Sequence, residues 1–221
     1  MIEARYRRDY SGEFVITETR IADGRSQQTR EWIPNVIENH HISGRAAVIG
    51  SRTDQERFKH QRLQRHRGGL LGKKRLQTYG TGGLWQDMAF DFFVTTDRNQ
   101  AQAMADTGYD TRSTVYTNAN ICIENPGRFY LVPFLQPIDN LALAIYLAAF
   151  DGHQEVFMLG YNIDTPGTTM AWISDVASVV STYAATQFVL VGTESNMPES
   201  WRGYRNVISM TYRKFISHCD I

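Results

Sequence analysis

The chain has 221 residues, 42% of them hydrophobic and 21% charged, and a formal net charge of zero. That fits one globular domain with at most a small extension, able to bury roughly 70–75% of its unfolded surface without a metal or disulfide staple. The balanced charge excludes a global attraction to nucleic acid or acidic lipid.

The opening residues, "MIEARYRRDYSGEF", lack the apolar core of a signal peptide. "GEFVITETRI" is β-branched and roughly alternating, "ADGRSQ" supplies an Asp-Gly turn, and "TREWI" returns as a second strand. Pro34 and the polar run after it separate this hairpin from the rest. Residues 1–44 are therefore expected to form an N-terminal β-hairpin extension, and residues 45–221 the main domain.

From Arg45 onward, strand patterns alternate with helix patterns. "AAVIG" (46–50), "LQTY" (76–79), "FDFFVTT" (90–96), "STVYT" (113–117) and "FYLVPF" (129–134) read as successive strands. "EVFMLG" (155–160) and "QFVLVGT" (187–193) are continuous apolar runs, as expected of parallel strands covered on both faces. The stretch "NVISMTYRKF" (206–215), with Ile208, Met210 and Tyr212 on one side, predicts a half-exposed edge strand. Asp139 and Gly152 bracket a helix over 140–150 that is apolar on nearly all sides. A second helix is expected within 168–186. The fold class that follows is α/β, a Rossmann-like, doubly wound, mainly parallel sheet.

The longest apolar stretch, within 141–150, is too short to span a bilayer, so a soluble, cytoplasmic chain with no membrane partner is expected. Cys122 and Cys219 have no metal-ligand spacing and are expected to be free, reduced thiols.

Ligands of a doubly wound sheet sit beyond the carboxyl ends of its strands, which singles out three stretches. In "VIGSRTDQERF" (48–58), Gly50 and Ser51 end a strand and Thr53 with Glu56 forms a capping box. A helix start of that kind favours an anion beside Arg52; it is equally an ordinary cap. In "YGTGGLW" (79–85), Gly80, Thr81, Gly82 and Gly83 form a loop that can admit a ribose or phosphate, or simply turn. It is not a dinucleotide fingerprint, because the third glycine falls at Trp85. In "GYNID" (160–164), Asn162 and Asp164 after Gly160 can bond a sugar or base edge, or support Asx turns.

The segment 52–75 holds nine Lys or Arg against two acids. It reads as a positive rim over a nucleotide, a nucleic-acid contact, or a solvated face, with Phe58 and Leu63 as its buried positions. No metalloprotease, P-loop, C-x-x-C or nucleophile-elbow motif occurs, and no metal site is expected. His40 and His41 read as loop residues, His153 as a solvated turn residue and His218 as an exposed tail residue.

"AAVIG", "FDFFVTTD" (90–97) and "DNLALAIYLAAFDGHQEVFMLGYN" (139–162) together resemble a Rossmann-like family. That family includes bacterial family 42 sialyltransferases, the domain of motility accessory factors and archaeal hydroxymethylpterin diphosphokinase-like proteins. The resemblance covers about residues 45–195. It implies a nucleotide or nucleotide-sugar pocket lined by Gly50, Ser51, the "YGTGG" loop, Asp97 and Gly160 to Asn162. Three features depart from the family pattern: "GSRTD" stands for "GxGPS", Asn162 stands for an aspartate, and residues 165–217 contain no histidine.

The expectation is therefore a nucleotide or nucleotide-sugar binding protein, glycosyltransferase-like and metal-independent if catalytic. A nucleotide-sugar donor would be its only cofactor, and Asp97 is its one candidate base. The alternatives are a non-enzymatic assembly protein, homo-oligomeric or bound to another partner, and a nucleic-acid binder using 52–75.

Overall fold

A computed structural model describes residues 2–6, 13–22, 25–34, 44–50, 58–66, 76–132, 137–161, 171–192 and 197–221. The first three stretches form an antiparallel sheet of β1 (Ile2–Tyr6), β2 (Glu13–Ala22) and β3 (Arg25–Pro34), in that order. The β2–β3 pair is the expected hairpin, in register from Ala22 opposite Arg25 to Glu13 opposite Pro34. Strand β1 is an addition to it, pairing from Ile2 opposite Glu18 to Tyr6 opposite Phe14.

The main sheet has eight strands, all parallel: β4 (Arg45–Ile49), β5 (Gln77–Thr81), β6 (Phe92–Val94), β7 (Thr114–Thr117), β8 (Tyr130–Leu131), β9 (Glu155–Leu159), β10 (Gln187–Val191) and β11 (Val207–Met210). Their spatial order is β11-β10-β9-β4-β5-β6-β7-β8. The chain winds outward from β4 to β8, then returns to the other side of β4 and winds out to β11. This is the doubly wound arrangement that the sequence pattern predicts.

Helices cover both faces. α3 (Asn140–Phe150) and α4 (Ala171–Thr182) pack on the face carrying Ala46, Val48, Tyr79, Val156 and Met158. α1 (Arg98–Asp106), α2 (Ala119–Glu124) and α5 (Tyr212–Cys219) pack on the face carrying Ala47, Ile49, Phe93, Phe157 and Leu159. Alternate residues of β4 and β9 thus feed two cores, which is why those strands are apolar after their first residues, Arg45 and Glu155. α3 buries every residue from Ala142 to Ala149. A helix apolar all round needs such cover, from the sheet on one side and α4 on the other.

Two expectations need correction. The last strand stops at Met210, because Thr211 accepts a hydrogen bond from the Lys214 backbone N–H and caps α5. Tyr212 and Phe215 are therefore helical, and Phe215 is buried against Phe58 and Phe157. Ile208 does lie on an exposed edge, at 42% exposure. His153, expected in solvent, is 1% exposed.

Both cysteines are free and buried. Among the described residues, no helix is long and apolar enough to cross a membrane.

Candidate functional site

The order of strands reverses between β4 and β9, so the crevice beyond their carboxyl ends is the expected ligand position. Gly50 follows β4, Thr81 and Gly82 end β5, Thr95 to Asp97 follow β6, Thr117 and Asn118 end β7, and Gly160 with Tyr161 follows β9. Three helices start at this edge. Their N-caps are Asp97 for α1, Asn118 for α2 and Asp139 for α3.

The glycines differ in what they do. The backbone N–H of Gly50 donates to the Leu159 carbonyl at 2.9 Å, tying the two switch-point strands together. A Cβ at Gly50 would fall 2.6 Å from Leu141 Cδ2 and 3.0 Å from Tyr161 Cε2. The space over Gly50 is therefore filled by the protein itself, with the Tyr161 hydroxyl donating to the Leu141 carbonyl at 2.9 Å. Burial and the nearby Asp139 carboxylate push the Tyr161 hydroxyl well above its ordinary pKa, so it remains a donor.

Gly80 lies inside β5, not in a loop, and a Cβ there would meet the Phe90 ring at 2.6–2.7 Å. It is a packing glycine as well. Gly82 is different: φ is +68°, the residue is exposed, and among the described residues the nearest atom to a Cβ would be the Gly50 carbonyl oxygen at 3.9 Å. It opens the helical turn Gly82–Gln86, in which Gly83 is also exposed. Gly160 too is left-handed, at φ +73°, and buried.

Thr81 carries an uncompensated polar group. Its Oγ1 is buried with no hydrogen-bond partner among the described residues, and the residue is 1% exposed. It sits beside Val94 of β6 in register and follows Gly80, which is opposite Ile49 of β4.

Asp97 is exposed, and its Oδ1 accepts from the Gln100 backbone N–H at 2.9 Å. Its own N–H donates to Thr95 Oγ1 at 3.1 Å. Around it, Thr96 Oγ1 donates to Asn140 Oδ1 at 2.9 Å, and Gln100 Nε2 donates to the Gly82 carbonyl at 2.7 Å. Asn118 Nδ2 reaches the Thr96 carbonyl at 3.4 Å. The ends of β5, β6 and β7 and the start of α3 are thus stitched into one polar rim. Sequence reasoning missed Thr96, Gln100, Asn118 and Asn140 as rim residues. The one available signal was Asn118 standing before the apolar run of α2.

The described rim is rich in acceptors. Asp97 and Asp139 cap their helices, and Asp175 accepts from the Asp139 backbone N–H at 3.0 Å. Arg98 turns to Glu124, with Nε 2.9 Å from Oε2. Such a rim suits hydroxyl and amino groups better than phosphate. Ser51, Arg52, Thr53, Asn162 and Asp164 lie outside the described residues, as do Glu56, His40 and His41. Of the basic segment, 58–66 is described: Phe58, His60 and Leu63 are buried, and Lys59 and Arg62 are exposed.

A second polar cluster lies away from this edge, between the end of α3 and the start of β9. The Tyr79 hydroxyl donates to Asp151 Oδ2 at 2.5 Å and lies 2.9 Å from His153 Nε2. Asp151 and His153 are 5% and 1% exposed. Burial raises the Asp151 carboxyl to about 7, partly offset by the Tyr79 hydrogen bond. Burial and the Asp151 carboxylate raise the Tyr79 hydroxyl well above its ordinary range. This cluster holds α3 to the sheet, which is where the buried His153 is used. His218 is exposed, as expected, though on α5, with Nε2 3.1 Å from a Glu155 carboxylate oxygen. Glu155 also receives Arg45 Nε at 2.7 Å.

Among the described residues, no group of three His, Cys, Asp or Glu stands where it could hold a metal ion. Comparison with protein-family models, curated proteins and solved structures finds nothing that matches this chain.

Proposed function

We propose that the protein binds a nucleotide or nucleotide sugar in the crevice at the carboxyl ends of β4, β5 and β6. The reading rests on one observation. Gly82 is exposed and left-handed at the end of β5, one strand from the reversal between β4 and β9 and beside the Gly50 carbonyl, where a ligand can approach bare backbone. Thr96, Asp97, Asn118 and Asn140 then offer a hydroxyl, a carboxylate and two amides to the sugar or base. Catalysis, in this reading, is glycosyl transfer without a metal. Asp97 would take the proton of the acceptor hydroxyl as that hydroxyl's oxygen bonds the sugar's anomeric carbon, while Gln100 N–H holds Asp97 Oδ1. The bond from that carbon to the donor's phosphate oxygen breaks, and the nucleotide leaves with the electron pair.

Amide hydrogen exchange with and without uridine and cytidine nucleotide sugars tests the site. Protection confined to residues 80–83 and 96–100 is the expected result. Protection elsewhere, or none, removes the reading.

A second reading is an assembly protein that keeps the fold without the pocket. It is favoured by Leu141 and Tyr161 filling the space over Gly50. It predicts exchange that slows with protein concentration on β1–β3 or along β11, and not with any nucleotide.

A further inference from the structure

The cleft between α3 and α4 adjoins the rim of the switch-point crevice through the Asp139–Asp175 contact and has a chemistry of its own. It encloses about 250 Å³ and is lined by Ile138, Tyr146, Asp175, Ser178, Thr182 and Tyr183, among others. That is small for a drug-sized ligand and right for a compact one.

Three of its polar side chains, Asp175, Ser178 and Thr182, are acceptors. Ser178 Oγ donates its proton to the Ser174 carbonyl at 3.1 Å, and Thr182 Oγ1 donates to the Ser178 carbonyl at 2.9 Å. Each hydroxyl has then spent its one donor, and only lone pairs remain for a ligand. Asp175 is a carboxylate whose Oδ2 is held by the Asp139 N–H at 3.0 Å. No described lysine, arginine or histidine forms an ion pair with it. Tyr146 and Tyr183 close the cleft with their rings edge to face, centroids 6.0 Å apart. A carboxylate, two acceptor-only hydroxyls and two electron-rich rings are complementary to one chemistry, a cation bearing N–H donors.

We propose that this cleft binds a small alkyl ammonium ion, with Asp175 as its counter-ion, Ser178 and Thr182 accepting its N–H groups, and Tyr146 and Tyr183 flanking its alkyl part. A free amine fits better than a phosphate or carboxylate ligand, either of which would meet Asp175 with like charge and find no donor on Ser178 or Thr182.

The test is a titration of the full chain with n-butylammonium chloride, followed by tyrosine fluorescence and thermal unfolding. n-Butanol and sodium chloride at the same concentrations serve as controls. A saturable response to butylammonium alone is expected, weakened roughly 10-fold in Asp175→Asn. Asparagine keeps an oxygen for the Asp139 N–H, so that variant retains the α3 contact. Ser178→Ala, which leaves the Asp175 bond intact, should weaken binding by a smaller factor. An equal response to butanol would reduce the cleft to an apolar groove. An equal response to sodium chloride would reduce it to a general ion effect. Unchanged binding in Asp175→Asn would overturn the proposal outright.

Discussion

The Tyr161 ring lies so close over Gly50 that a Cβ there would sit 3.0 Å from Cε2 and 3.1 Å from Cζ. The glycine that ends β4 is thus a seat for an aromatic ring from the neighbouring strand end.

Three glycine-to-alanine variants should separate along that line. At Gly80 a Cβ meets the Phe90 ring at 2.6–2.7 Å, and at Gly50 it meets a movable leucine methyl first. Gly80→Ala should cost about 2–3 kcal/mol and Gly50→Ala about 1–2 kcal/mol by overpacking. Gly82→Ala meets nothing closer than 3.9 Å among the described residues and pays for its positive φ, about 1 kcal/mol. Urea denaturation of the three variants gives the order, and a Gly82→Ala loss exceeding the other two would refute it.

The Asp151 carboxyl predicts a pH dependence of known sign. Its pKa is about 7 when folded against 3.8 ordinarily. Below pH 3.8 it is protonated in both states and its contribution is complete. As pH rises toward 7 the unfolded chain ionises first, so stability falls, by up to about 4 kcal/mol, and then levels off. The carboxylate also sits at the C-terminal end of α3, where the helix dipole opposes a negative charge. Tyr79, His153 and Tyr116 are the other titratable groups around it. Asp151→Asn should remove this slope, so the stability difference between wild type and variant should shrink or reverse from pH 5 to pH 8. A constant difference would contradict the assignment.

Asp97 should show its capping role by contrast between two substitutions. Asp97→Ala loses the acceptor for the Gln100 N–H and should cost about 1 kcal/mol. Asp97→Asn keeps it and should be within a few tenths of a kcal/mol of wild type. If the proposed transferase chemistry operates, Asp97→Asn abolishes turnover while folding normally; an unaffected rate removes Asp97 as the base.

Thr81→Val should be neutral or stabilising, by up to about 1 kcal/mol, because it deletes a buried hydroxyl that has no partner among the described residues. Thr95→Val is the control: its hydroxyl accepts from the Asp97 N–H, and its loss should destabilise by about 1 kcal/mol. Calorimetric unfolding of both variants reads the difference. Equal losses would mean that Thr81 is satisfied after all.

Strands β4, β9 and β10 were legible because burial on both faces makes their sequences apolar without alternation. α3 was legible because Asp139 and Gly152 mark its ends, and both act there as expected. The end of β11 was not. "TYRKF" has strand-like residues, and only the Thr211 cap reveals the helix. β1 mixes charge with apolar residues over only five positions, so the Ser11-Gly12 pair before β2 was its one local signal. The site was legible as a set of strand ends, but the purpose of each glycine was not. Gly50 and Gly80 depend on Tyr161 and Phe90, side chains brought to them by the fold. His153 is the same case: a turn residue by its neighbours, buried because Tyr79 waits for it across the sheet.

The most direct test of the crevice is thermal unfolding of wild type and Gly82→Val against millimolar nucleotides and nucleotide sugars. A ligand at about 100 times its dissociation constant adds about 2.7 kcal/mol of stability. The account predicts a rise in wild type with one nucleotide class, and its loss in Gly82→Val, whose branched side chain would stand over the approach to the Gly50 carbonyl. A flat wild-type response across the panel, or a rise that survives Gly82→Val, would contradict it.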